Sequence, residues 1–149
     1  MAKSTKKDLD HDLCFLFYIT TKEVINRFNK YLKQYNISFP NYIVLSYIED
    51  EEEIYVKTLC DKLYLDSGTI SPIVKRLEKK DLVRRKRLPE DERKVVLHLT
   101  QEGKALKSKF KNISTHVIDQ LNLDSDEKLE YYNMMRTFAD RNLESTKDD

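Results

Sequence analysis

The side chains best suited to chemistry in this chain are short hydroxyls and cations spaced along a single helical face: Thr69, Ser71, Lys75, Arg76 and Lys79. Groups of these types donate hydrogen bonds to phosphate oxygens and to base edges in a major groove. Between them Ile70, Ile73, Val74 and Leu77 fall at i, i+3, i+4 and i+7, the spacing of a buried helical stripe, so the polar set is turned outward. Asp66, Ser67, Gly68 and Thr69 just upstream are turn and cap residues. The choice of cap decides the effect of Pro72. With Thr69 as cap the proline sits in the first turn at little cost, whereas a start near Asp66 puts it deeper, where it removes a backbone hydrogen bond. The second candidate for chemistry is the thiol of Cys14, set in the apolar run 13–19.

The surroundings of these residues predict how they are held. Val56, Leu59, Cys60 and Leu63 give a short helical stripe ahead of the polar helix, and Cys60 completes that stripe as an inward residue. After Asp81, residues 82–87 and 94–99 read as two strands, with Val95, Leu97 and Leu99 alternating against Val96 and an exposed His98. The tip, 88–93, carries a proline and acids and presents Arg93. Two short helices and a basic hairpin over 56–99 make the layout of a winged helix-turn-helix, which implies binding to duplex DNA.

Long amphipathic helices flank this lobe. Leu13, Phe17, Thr20, Val24, Phe28, Tyr31 and Tyr35 predict one helix over about 13–34, stopped at Asn36, and Ser38 with Pro40 opens the next. Thr100 caps a helix striped by Leu106, Phe110, Ile113 and Val117, and Asp124 or Ser125 caps a last one with Leu129, Tyr132, Met135 and Phe138. A winged helix is too small to cover three such stripes, so the expected partner is a second copy of the chain. A homodimer also spaces two recognition helices for half-sites about one duplex turn apart, which predicts a palindromic operator on double-stranded DNA.

Composition sets the bounds. The 149 residues suit one mainly α domain able to build a core without disulfides or a structural metal, and two glycines against 36% charged residues leave room for few tight turns. We expect dimerisation helices over about 8–36 and 100–145, a DNA-binding lobe over about 38–99, and flexible ends at 1–7 and 146–149. The formal net charge of +1 hides a segregation, since residues 75–94 hold ten cations against five acids, a net +5, while 49–53 are five consecutive acids expected in a loop away from phosphates. The run 13–19 is too short for a secretory core, and nothing approaches the roughly 20 apolar residues of a membrane span. A cytoplasmic protein with free thiols is expected. His11, His98 and His116 have no spacing that would place them on one metal, and no cofactor is expected. No phosphate-cradling loop or nucleophile-base pattern accompanies Cys14, which argues against an enzyme.

The chain resembles the MarR family of dimeric winged-helix regulators, and within it the thiol-based, oxidation-sensing OhrR/SarZ/MgrA branch. The residues that carry the resemblance are Leu13-Cys14-Phe15-Leu16-Phe17-Tyr18, Leu63-Tyr64-Leu65-Asp66-Ser67-Gly68-Thr69 leading into Ser71-Pro72, Lys75-Arg76-Leu77-Glu78, and Asp91-Glu92-Arg93. The resemblance implies that Ser67, Thr69, Ser71, Lys75 and Arg76 face an operator, with Arg85, Lys94 and the wing adding contacts, and that Arg93 enters a minor groove oriented by Asp91. It also implies that Cys14 is a sensor thiol whose oxidation lowers the DNA affinity of a repressor. Two positions around the sensor depart from the pattern: tyrosines that donate to the sulfur across the dimer are Phe28 and Phe39 here, and phenylalanine cannot donate. Tyr18 keeps a hydroxyl. Two rival readings stay open, a regulator controlled by a small aromatic ligand between the dimerisation and DNA-binding parts, with Cys14 structural, and a thiol peroxidase-like enzyme.

Overall fold

A computed structural model of the chain describes residues 6–144. The termini expected to be flexible, 1–7 and 146–149, fall outside the described residues apart from Lys6 and Lys7, which open the first helix. The chain divides into two compact units, one ending at Phe39 and one beginning at Pro40.

The first unit is built on α1, Lys6–Leu32, followed by a 3-10 turn, Lys33–Tyr35. Asn36 takes a left-handed conformation with φ 56° and donates its N–H to the Lys33 carbonyl at 3.0 Å, which ends the helix where the sequence places the stop. The stripe read along α1 divides along its length. Phe28 and Leu32 are buried, whereas Leu13, Phe15, Leu16, Phe17 and Tyr18 stand exposed. The rings of Phe28 and Phe39 meet at a centroid distance of 5.0 Å, tilted by 58°, and the Phe39 N–H donates to the Asn29 side-chain carbonyl at 2.9 Å.

The second unit contains most of α2, Phe39–Ser46, with Pro40 in its first turn, where a missing N–H is harmless. It continues through β1, Ile54–Tyr55; α3, Val56–Leu63; α4, Ser67–Lys79; β2, Val83–Leu88; and β3, Asp91–Leu99. Then follow α5, Gln101–Lys107, α6, Phe110–Asp119, and α7, Ser125–Asn142. The three strands form an antiparallel sheet in the order β1-β3-β2. β1 is an addition to the two strands read from the sequence, and it changes the surroundings of β3. As the central strand, β3 is covered more fully than an edge of a hairpin would be: Val96 is buried alongside Leu97 and Leu99, and His98 is half-buried instead of exposed. Its Nδ1 is out of contact with solvent and has no hydrogen-bond partner among the described residues.

Ile70, Ile73, Val74 and Leu77 of α4, Leu59 and Cys60 of α3, and Val83 and Leu97 of the sheet are buried and make the core of the lobe, in which α4 packs on α3 and β2 while α3 packs on β3. The acidic loop is tied down by two lysines of α5. Lys104 Nζ reaches Glu51 at 2.9 Å, and Lys107 Nζ donates to the Ile48 carbonyl at 2.7 Å and pairs with Asp50 at 3.3 Å. Thr100 caps α5 by accepting the Gly103 N–H at 3.0 Å. The stripe expected to run through one helix from Leu106 to Val117 spans two, because the backbone breaks between α5 and α6 at Ser108 and Lys109. Asp124 and Glu127 form a reciprocal capping box at the start of α7, none of whose residues is buried.

Candidate nucleic-acid interface

Asp66, not Thr69, is the cap of α4: its carboxylate accepts the Thr69 N–H at 2.7 Å. The helix therefore starts early, and Pro72 is its sixth residue, leaving the Gly68 carbonyl without its usual i+4 donor. Hydrogen bonds from the Thr69 N–H and then the Thr69 hydroxyl hold the Asp66 carboxyl below its ordinary pKa. A depressed carboxyl stabilises the fold above its unfolded-state pKa of about 4, and that contribution disappears as pH falls through the depressed value. Asp66→Ala is accordingly expected to lower the melting temperature by a few degrees at pH 7. The gap from wild type should narrow as the pH is lowered below about 4, and thermal melts over a pH series check it.

The cap starts a helix with the two faces read from the sequence. Ser67, Thr69, Ser71, Lys75, Arg76 and Lys79 are exposed, opposite the buried stripe. Ser67 and Ser71 also line an open cleft of about 800 Å³ bounded by α3, α4 and the wing, together with Arg85, Arg93 and Lys94. Thr69, Lys75, Arg76 and Asp91 are not among its lining residues. Tyr55, Lys57, Thr58 and Arg87, which were not picked out from sequence, also line it. The Lys57-Thr58 pair at the start of α3 was the available signal, since these are the same side-chain types that marked α4.

The cations are not equivalent. Arg85 Nη2 pairs with Glu78 of α4 at 3.1 Å, which joins the wing to the end of that helix. Lys75, Arg76, Arg93 and Lys94 have no ion-pair partner among the described residues. Asp91 acts on Arg93 through the main chain, accepting the Arg93 N–H at 3.0 Å. It makes no ion pair with the guanidinium among the described residues, so the orientation it gives Arg93 comes through the backbone.

The two thiols differ in surroundings. Cys14 is exposed on α1, among exposed Leu13, Phe15, Leu16 and Phe17, and Tyr18 lies one turn along with the Lys22 ammonium 5.9 Å from its ring centre. Phe28 is fourteen residues further along α1. At 1.5 Å per residue that is about 21 Å, so neither it nor the Phe39 ring packed on it surrounds Cys14 within one protomer. Cys60 is 4% exposed and is among the residues lining the cleft. Burial, and then the neighbouring Asp61 and Asp66 carboxylates, push its thiol pKa up, which disfavours the reactive thiolate.

Two packed helices joined by a short turn, followed by a wing, with cations and hydroxyls gathered on one side, define a winged helix-turn-helix built for duplex DNA. Residues 26–110 match the family model of the transcriptional regulators SarA/Rot. The HTH-type transcriptional regulator SarZ of Staphylococcus aureus (strain USA300) is 42% identical over 136 residues, spanning 91% of this chain and 92% of that protein. The chain belongs to the SarA/Rot family and is a DNA-binding transcriptional regulator of the SarZ and MarR type, not an enzyme. Among solved structures, overoxidised AbfR bound to DNA is similar with a TM-score of 0.69 and 27% identity, covering 87% of this chain and 92% of that one. The reduced form of MarR from E. coli has a TM-score of 0.71 and 26% identity, covering 85% and 95%. Among the described residues no helix is long and apolar enough to cross a membrane.

Proposed function

We propose that the protein is a cytoplasmic, homodimeric repressor that holds a palindromic operator, and that oxidation of Cys14 loosens its grip. In each protomer the outward residues Ser67, Thr69, Ser71, Lys75 and Arg76 enter a major groove. Arg85, Arg93 and Lys94, with Asp91 holding the backbone at Arg93, engage the flanking duplex. α1 and α5 to α7 supply the dimer contacts. The DNA-binding part rests on the exposed polar face of α4 opposite its buried stripe.

The redox part is carried by one observation, the exposure of the Cys14 thiol on a helix whose surrounding apolar side chains are also uncovered. Within one protomer a peroxide can reach such a sulfur. Its thiolate takes the terminal oxygen of an organic hydroperoxide to give a sulfenic acid. The sulfur loses two electrons, the O–O bond breaks, and the departing alkoxide picks up a proton as the alcohol. A polar, larger group on an apolar helix face then disfavours the packing that face needs. AbfR, which is similar to this chain, has been solved on DNA in reduced and overoxidised forms, so a regulator of this fold does undergo oxidation.

The test is titration of an operator, selected from a random duplex library, with reduced protein, protein treated with an organic hydroperoxide, and Cys14→Ser. Treatment is expected to weaken wild-type binding by about 5- to 150-fold, the range of ordinary allosteric coupling, with recovery on adding dithiothreitol. Cys14→Ser should be indifferent and Cys60→Ser should respond like wild type. Equal affinity of wild type before and after treatment would overturn the redox reading and leave control to a small aromatic ligand.

A further inference from the structure

We infer that Arg87 is a positioning residue of the wing: with Asp91 it clamps the Glu92–Arg93 peptide and so aims Arg93 at DNA. The inference rests on the reading of Arg93 as a DNA contact.

The strand register carries the first part of the argument. Arg87 lies opposite Val95 while the next residue of β2, Leu88, lies opposite Asp91. Glu92, Arg93 and Lys94 therefore have no partner on β2, and β1 pairs only with Val96 and Leu97. β3 bulges over three residues, and two of those three are the cations at the tip. A bulge redirects side chains, but it also strips the ladder hydrogen bonds that would hold their backbone still. An exposed segment without such bonds opens at little free-energy cost, and a mobile arginine must be ordered when it binds.

Side chains replace the missing ladder at one peptide plane. The Glu92 carbonyl accepts from Arg87 Nη1 at 2.8 Å, and the Arg93 N–H donates to Asp91 Oδ1 at 3.0 Å. These are the two polar groups of a single peptide unit, the one that leads into the Arg93 Cα. With both ends held, the plane cannot rotate, and the direction in which Arg93 leaves the backbone is limited. Both bonds involve a charged partner, the stronger kind. Arg87 belongs to the run Arg84-Arg85-Lys86-Arg87, in which each cation reads equally well as a phosphate contact. Its hydrogen bond to the Glu92 carbonyl sets it apart, because Arg85 is paired with Glu78 and Arg84 with Asp81.

A double-mutant cycle on the full-length protein separates the roles, using a duplex selected by wild type from a random library and titrated over a range of salt concentrations. Arg93→Ala should weaken binding and reduce the logarithmic salt slope by about 0.9, the value for one neutralised phosphate. Arg87→Ala should weaken binding by about three- to tenfold, the cost of leaving one side chain to be ordered on binding, and in the Arg93→Ala background it should cost nothing further. Arg87→Lys, which keeps the charge but loses the planar fork, should resemble Arg87→Ala. Without DNA, both Arg87 variants should speed amide exchange at Arg93 while leaving the melting temperature unchanged. If Arg87→Ala lowers affinity and slope by the same amounts with or without Arg93, Arg87 touches phosphate directly and the clamp is overturned. Unchanged exchange at Arg93 overturns it as well. An Arg93→Ala protein that binds like wild type defeats the wing contact itself, a different failure visible in a different variant.

Discussion

Gly103→Ala is expected to destabilise the protein by about 1–3 kcal/mol, the usual cost of forcing an extra methyl into a packed core, and to lower the urea midpoint without changing the slope of the transition. On an open helix the same change stabilises by about 0.5–1 kcal/mol, so the sign is the informative part. A Cβ on Gly103 would stand 2.1 Å from the Leu82 carbonyl oxygen, which is backbone and cannot swing aside. That oxygen already accepts the Thr100 N–H at 3.1 Å, while the Thr100 hydroxyl donates to the Asp81 carbonyl at 2.6 Å and accepts the Gly103 N–H. Moving either segment breaks the small network that joins the first turn of α5 to the base of the wing. Gly68→Ala supplies the contrast: its Cβ would meet only the Asp66 side-chain oxygen at 3.3 Å, so a near-neutral result is expected. A stabilised Gly103→Ala protein would show that α5 is not held this close to the wing.

The lobe was legible where burial imposes a period. The stripe of α4 has one wet and one dry face, so Ile70, Ile73, Val74 and Leu77 betrayed their positions. β1 was not legible, since two residues are too few to show an alternation, and its absence from the sequence reading misplaced His98 and Val96. The break between α5 and α6 escaped because Leu106, Phe110, Ile113 and Val117 keep helical spacing straight across it. At the cap of α4 the sequence offered two candidates, and the hydrogen bond to Thr69 selected Asp66. The types of the DNA-facing residues were visible in the sequence, but their internal partners were not. Nothing in the order of residues says that Arg85 meets Glu78 or that Arg87 meets a carbonyl five positions away. Cys14 shows the same limit from another side: its apolar neighbours read equally as core or as a face awaiting a partner, and within one chain they are uncovered.

Replacing Met135 and Phe138 together by Glu is expected to convert the protein to monomers and to lower its affinity for a two-half-site operator by about 10²- to 10⁴-fold. Leu129, Tyr132, Met135 and Phe138 are 58%, 59%, 67% and 50% exposed in a single chain, and α7 buries no residue at all. Apolar side chains recurring along an eighteen-residue helix are not ordinarily left to water, and a second copy of the same chain is the partner we propose for them. Two carboxylates per protomer in that seam would have to give up their water, a desolvation penalty that exceeds the gain from the remaining contacts. The loss of DNA affinity then follows from linkage alone. In a dimer the second recognition helix binds at the high effective concentration set by the first, and a monomer forfeits that advantage while every one of its own contacts survives. Affinity for a duplex carrying a single half-site should therefore stay at the wild-type value. Sedimentation equilibrium together with anisotropy titrations on one- and two-half-site duplexes makes the comparison. A variant that remains dimeric removes α7 from the interface, whereas a monomer that still binds the full operator tightly would show that the two lobes do not act together.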